Sequence, residues 1–115
     1  MQQYTALLLS LAVEAPAGVI AMMLLRGEST LYMRAATVAV ASTLLSHPFA
    51  WYANTVWLWH LPFAERAAVI ELSVVAFEAM FYIWLVPLSW KKGFMVSLIA
   101  NTASFALGLL CAITS

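Results

Sequence analysis

The sequence predicts an all-α integral membrane protein in which four transmembrane helices form a bundle with a polar interior. Of the 115 residues, 65% are hydrophobic and 9% are charged, whereas a soluble domain is about 45–50% apolar and about 25% charged. Four apolar segments each have the length of about 20 residues that a spanning helix needs. Polar residues recur in these segments at helical spacing, and such residues face the bundle interior rather than lipid. We expect a single domain over residues 1–115.

The four predicted helices follow one another with short loops. The first runs over about residues 4–25, the second over about 31–50, the third over about 67–90 and the fourth over about 94–113. No basic residue precedes the first apolar run, since the first one in the chain is Arg26. The first segment is therefore predicted to be a retained helix and not a secretory signal peptide.

The predicted loop between the second and third helices, residues 49–63, is aromatic. It contains Trp51, Tyr52, Trp57 and Trp59, and these residue types concentrate where the membrane meets water. We expect a short interfacial helix or a bent segment lying across the outer mouth of the bundle. Anchoring in the interface would explain this composition, and a lid or ligand platform is the alternative.

The few basic residues predict the orientation. Arg26 and Arg34 flank the first loop, Lys91 and Lys92 form the third, and Arg66 alone lies on the other side. The excess of Lys and Arg on cytoplasmic loops then places both termini outside. The compact design leads us to expect a prokaryotic inner membrane.

Each predicted helix carries a stripe of small and polar residues. At about 1.5 Å per residue, two layers of polar residues result, one near the midplane and one about 10 Å nearer the aromatic loop. The stripes are Ser10, Glu14 and Gly18; Ala39, Thr43, Ser46 and His47; Glu71, Glu78 and Tyr82; and Ser97, Asn101, Ser104 and Gly108. The candidate site residues are Glu14, Glu78, Asn101 and Ser104 in the midplane layer, with His47 and Glu71 in the outer layer.

Composition and motifs exclude some classes of function. The formal net charge is zero, so there is no basic patch to bind nucleic acid. The single Cys111 excludes an intrachain disulfide and a cysteine-based zinc site. His47 and Glu71 are weak candidates for metal ligands, and no cofactor is identified. Nucleophile and phosphate-binding motifs are absent, so an enzyme is not favoured.

The buried carboxylates lead to the predicted function. No basic residue lies deep enough to pair with Glu14 or Glu78, and two neighbouring carboxylates in a low dielectric cannot both ionise cheaply. We expect a small transporter or channel-like subunit, linked to protons or cations, with these two glutamates as the titrating pair. Neutral glutamates that only join helices through hydrogen bonds are the structural alternative.

Two other functional classes stay open. One is an accessory or assembly subunit of a larger membrane complex, in which the polar stripe binds a partner or a lipid-like cofactor. The other is a metal- or quinone-binding redox subunit. A chain this small has little room for a complete pathway, so we expect the lipid bilayer and either a homo-oligomer or a partner membrane subunit as its surroundings.

Overall fold

The computed structural model describes residues 3–25 and 29–114, and four α-helices account for most of them. The helices are α1 (Gln3–Leu24), α2 (Tyr32–Tyr52), α3 (Phe63–Leu85) and α4 (Trp90–Thr114). No β-strand occurs among the described residues, and the all-α prediction is confirmed. Arg26, on which part of the predicted orientation depends, lies outside the described residues.

The helices form a bundle in which α1 and α3 lie diagonally opposite each other. Each helix packs against the one that follows it in sequence, and α1 also packs against α4. The longest dimension of the molecule is 42 Å, which matches the thickness of about 40–45 Å of a bilayer with its headgroups.

Three of the helices are long and apolar enough to cross a membrane within the described residues. The fourth, α2, has a comparable length of 21 residues, but it is more polar because its second half contains the segment STLLSH, residues 42–47. The chain is therefore compatible with an integral membrane protein. The three apolar segments are Thr5–Leu24, Phe63–Leu85 and Trp90–Cys111.

The junction between α3 and α4 lies earlier in the chain than predicted. Helix α3 ends at Leu85 because Pro87 has no backbone N–H and disfavours helical geometry in the residue before it. The Oγ of Ser89 then accepts a hydrogen bond from the backbone N–H of Lys92 at 3.3 Å, which is the geometry of a helix N-cap. Trp90 therefore begins α4 instead of ending α3, and Lys91 lies in the first turn of α4 instead of in a loop.

The predicted aromatic loop is shorter than expected, because α2 does not stop at Ala50. No proline or glycine follows until Pro62, and α2 continues directly into a π-helical turn, Ala53–Trp57, in which Leu58 N–H bonds to the Ala53 carbonyl at 2.8 Å. The segment is thus an extension of α2 and not a separate interfacial helix. Helix α3 correspondingly begins at Phe63, four residues before the predicted position.

The two ends of the bundle differ in their interior. One end is filled by apolar side chains where α1 and α3 finish and where α2 and α4 begin; we call it the closed half. The opposite end contains a cavity, and we call it the open half. The closed half is built around Ala21, Met22, Ala35, Val38, Ala39, Tyr82, Val86 and Val96, all buried.

Candidate functional site: a polar cavity in the open half

A cavity of about 360 Å³ lies in the open half, and all four helices contribute to its wall. Its hydroxyl-bearing residues come from α1, α2 and α4, and its three glutamates come from α1 and α3. None of the described residues that line it is Lys or Arg. The six candidate residues from the sequence all lie on this wall: Glu14, Glu78, Asn101, Ser104, His47 and Glu71.

The carboxylate of Glu78 is held by two serines of the neighbouring helix. Ser42 Oγ donates a hydrogen bond to Oε1 at 3.2 Å, and Ser46 Oγ donates one to Oε2 at 2.9 Å. The two serines are four residues apart, so they lie on one face of α2, one turn from each other. Glu78 is only 1% exposed, and each of its oxygens has a hydroxyl donor.

The second deep carboxylate, Glu14, is held from the same helix. Thr43 Oγ1 donates a hydrogen bond to its Oε2, and both residues are buried. Helix α2 therefore supplies hydroxyl donors to the glutamates of both α1 and α3. This explains why the most polar helix of the bundle lies between them.

On the opposite wall, the polar side chains of α4 form hydrogen bonds within their own helix and to α1 and α3. The Asn101 amide nitrogen donates to the Ser97 carbonyl at 2.9 Å and to Ser97 Oγ at 3.3 Å. Ser97 Oγ donates to the Val75 carbonyl of α3 at 2.8 Å. Ser104 Oγ donates to Ser10 Oγ of α1 at 3.2 Å. Ser97 thus joins α4 to α3 and Ser104 joins it to α1, whereas these bonds of Asn101 stay within α4.

The two residues of the predicted outer layer also line the cavity. Glu71, which is partly exposed, lies two turns from Glu78 on α3. The His47 ring lies 6.2 Å from that of Trp51, centroid to centroid, and both residues line the cavity. Within the described part of the chain, no three His, Cys, Asp or Glu side chains are grouped to hold a metal ion. His47 and Glu71 therefore lack a third ligand of these types.

Sequence reasoning missed one residue that contacts a carboxylate directly. The predicted stripe on α2 runs through Ala39, Thr43, Ser46 and His47 and does not include Ser42. The available signal was the spacing of Ser42 and Ser46: two hydroxyls one helical turn apart can each reach one oxygen of the same carboxylate.

The cavity is suited to bind cations. Its carboxylate and hydroxyl oxygens are ligands that hard cations prefer, and its carboxylates can also bind protons. No basic side chain among the described lining residues neutralises the glutamates. Comparisons with protein-family models, curated proteins and solved structures found no match for this chain.

Proposed function

We propose that the chain is a four-span membrane protein that acts as a small proton- or cation-linked transporter or channel-like subunit. The observation that carries this proposal is the placement of Glu78, which is 1% exposed and accepts hydrogen bonds from two hydroxyls. It lies on the wall of a cavity whose described lining residues include no Lys or Arg. In this proposal Glu14 and Glu78 exchange protons, or a proton for a cation, and Glu71 and His47 lie on the route from the open half.

Helix α2 is the fourth span in this proposal. Its length corresponds to about 32 Å of helix, and its buried hydroxyls are satisfied by the glutamates of its neighbours. An exposed hydroxyl of α2, that of Thr37, bonds to the Met33 carbonyl of its own helix at 2.9 Å. A polar side chain can face lipid when its hydrogen bond is satisfied in this way.

The basic residues support an orientation in which the open half faces outward. Arg34, Lys91 and Lys92 lie at the end of the closed half, whereas Arg66 is the one described Lys or Arg at the end of the open half. The positive-inside rule then places the closed half in the cytoplasmic leaflet and both termini outside. A prokaryotic inner membrane and a homo-oligomer or partner subunit that completes the pathway belong to the same proposal.

The cavity favours transport over a purely structural role for the glutamates. Interhelical hydrogen bonds between uncharged side chains in membranes contribute on average only about 0.6 kcal/mol each. A structural role would be served best by close packing around the bonded groups, because a cavity forfeits dispersion contacts. Here Glu14 and Glu78 are themselves buried, but they lie on the wall of about 360 Å³ of space that the partly exposed Glu71 also lines.

Flux through proteoliposomes tests the proposal. The purified chain would be reconstituted and a proton, Na⁺ or K⁺ gradient imposed, with an entrapped pH dye as the readout. Glu14→Gln and Glu78→Gln keep the shape of the side chain and remove its charge, and each is expected to lower the flux at least tenfold. Glu65→Gln is the matched control, because Glu65 is exposed in the first turn of α3 and does not line the cavity.

Two results would contradict the proposal. Flux no greater than in empty liposomes, from protein that stays folded without another membrane subunit, would contradict the transport activity itself. Full flux in both glutamine variants, with the proteins folded, would leave the glutamates as structural hydrogen-bonding groups. A chain that aggregates unless another membrane subunit is present would instead favour the accessory-subunit alternative.

A further inference from the structure

The hydroxyl of Tyr82 is buried without a hydrogen-bond partner among the described residues. Tyr82 is 0% exposed, and its Oη is an unsatisfied polar atom. Buried tyrosine hydroxyls are normally paired, because an unpaired one loses its bonds to water without replacement. Among the eight buried residues described for the closed half, Tyr82 is the one with a polar side-chain group. A phenylalanine would fill the same space without that penalty.

The Tyr82 hydroxyl lies against Gly18 on the diagonally opposite helix. A Cβ on Gly18 would lie 3.2 Å from Tyr82 Oη and 3.7 Å from the Cβ of Ala39. Gly18 lies one turn beyond Glu14 on α1, and Ala39 lies one turn before Thr43 on α2. The hydroxyl therefore lies about one helical turn below the hydrogen bond between Glu14 and Thr43, on the side of the closed half.

We propose that Tyr82 is a second hydrogen-bonding position for the Glu14 carboxylate, used when that carboxylate leaves Thr43. This inference rests on the proposed function, and Tyr82 is a positioning residue in it. The carboxylate moves by about one turn, or about 5 Å, toward the closed half, and the Tyr82 hydroxyl donates a hydrogen bond to it there. The tyrosine keeps its proton, so no group is transferred and the charge of the tyrosine does not change.

Two features of the cavity support Glu14 and not Glu78 as the partner. Both oxygens of Glu78 accept hydrogen bonds from serines of α2, whereas the side-chain donor that bonds Glu14 is Thr43. The Tyr82 hydroxyl also lies against Gly18, 3.2 Å from where a Cβ would be, and Gly18 is the residue one turn beyond Glu14 on α1. The exchange of donors would move the Glu14 carboxylate, with any proton or cation bound to it, from the cavity to the edge of the closed half.

The first test is Tyr82→Phe, with thermal stability and flux measured on the same preparation. We expect the melting temperature to stay the same or rise, because the variant loses a buried hydroxyl that has no partner. Proton or cation flux is expected to fall at least tenfold. Tyr52→Phe is the matched control, because Tyr52 is 49% exposed on α2, and it should change neither quantity. Wild-type flux in Tyr82→Phe, or a clear fall in its melting temperature, would overturn the inference.

A second measurement separates this inference from the proposed function. Infrared difference spectra of protein with ring-labelled tyrosine would be recorded as Na⁺ or protons are added in detergent. The exchange predicts a tyrosine hydrogen-bonding band that is present in the wild type and lost in Tyr82→Phe. If the tyrosine band is observed but no flux is measured in liposomes, the transport proposal is refuted and the exchange of donors is retained. Flux that depends on the glutamates without the band would refute the exchange and keep transport.

Discussion

Replacing Ser46 by alanine removes the shorter of the two hydrogen bonds that hold the Glu78 carboxylate. Glu78 and Glu14 border the same cavity, and only one of two nearby carboxylates ionises cheaply in a low dielectric. Glu78 has a hydroxyl donor on each oxygen, so we expect it to be the anionic member of the pair and Glu14 to be the neutral member. A lost hydrogen bond to a charged group costs about 1.5–3 kcal/mol.

The matching substitution at the other glutamate should cost less. Thr43→Val removes the hydroxyl that bonds Glu14 and keeps the shape of the side chain. If Glu14 is neutral, the loss is expected near the average of about 0.6 kcal/mol for interhelical bonds in membranes. Ser46→Ala should therefore lower the ratio of folded to unfolded protein by roughly tenfold to 150-fold, and Thr43→Val by roughly threefold.

The free energy of unfolding would be measured by titrating the purified protein with a denaturing detergent in mixed micelles. Ser73→Ala is the control, because the Ser73 hydroxyl is exposed and bonds to the Val69 carbonyl of its own helix at 2.8 Å. A double-mutant cycle of Ser46→Ala with Glu78→Gln isolates the energy of the pair. The reasoning is refuted if Ser46→Ala costs no more than Ser73→Ala, or if Thr43→Val is the more destabilising of the two.

Two further predictions concern packing and the membrane interface. Gly93→Ala should destabilise the protein by about 1–3 kcal/mol, because its Cβ would lie 2.5 Å from Cγ1 of the β-branched Ile83. Gly108→Ala is the comparison: its Cβ would meet nothing within 4 Å, so the substitution should stabilise α4 by up to about 1 kcal/mol. The same detergent titration measures both, and equal effects would contradict the helix contact. In variants that retain only Trp57 or Trp59, which are 55% and 67% exposed, lipids brominated near the headgroup should quench fluorescence more than lipids brominated near the chain end. The opposite order of quenching would show that these rings do not lie at the membrane interface.

The sequence was sufficient to predict the helical class and the polar lining, because both depend on regular spacing. Apolar length predicts helices, and polar residues three or four positions apart predict one face, so Glu14, Glu78 and Asn101 could be assigned to a common interior. The spacing of Ser42 and Ser46 indicates a pair of donors one turn apart, but it does not identify Glu78 as their acceptor, because that contact depends on the rotation of α2 against α3. Hydrophobic patterning leaves such rotations undetermined when a helix is apolar on most sides.

Helix boundaries were less predictable, for a different physical reason. Aromatic residues indicate an interface but do not terminate a helix, so α2 continues through Trp51 and Tyr52. Conversely, Trp90 continues an apolar run in sequence but follows the break at Pro87, and Ser89 starts a new helix by capping it. The unpaired hydroxyl of Tyr82 cannot be recognised from the sequence, because a tyrosine on a polar stripe is compatible with a paired or an unpaired hydroxyl.

The polarity of α2 has a consequence for how the chain would enter a bilayer. A translocon releases a helix into lipid when the segment is apolar enough to partition by itself, and α2 falls short of the apolarity that the other three helices reach. Its hydroxyls meet Glu14 of the helix synthesised before it and Glu78 of the helix synthesised after it. The hydroxyls of α2 and the glutamates of α1 and α3 are hydrogen-bonded to each other and would face lipid unpaired if the helices were separate. We therefore expect α1, α2 and α3 to enter the membrane as one unit. Chains truncated after α2 should then leave that helix outside the lipid, while chains that include α3 should insert both.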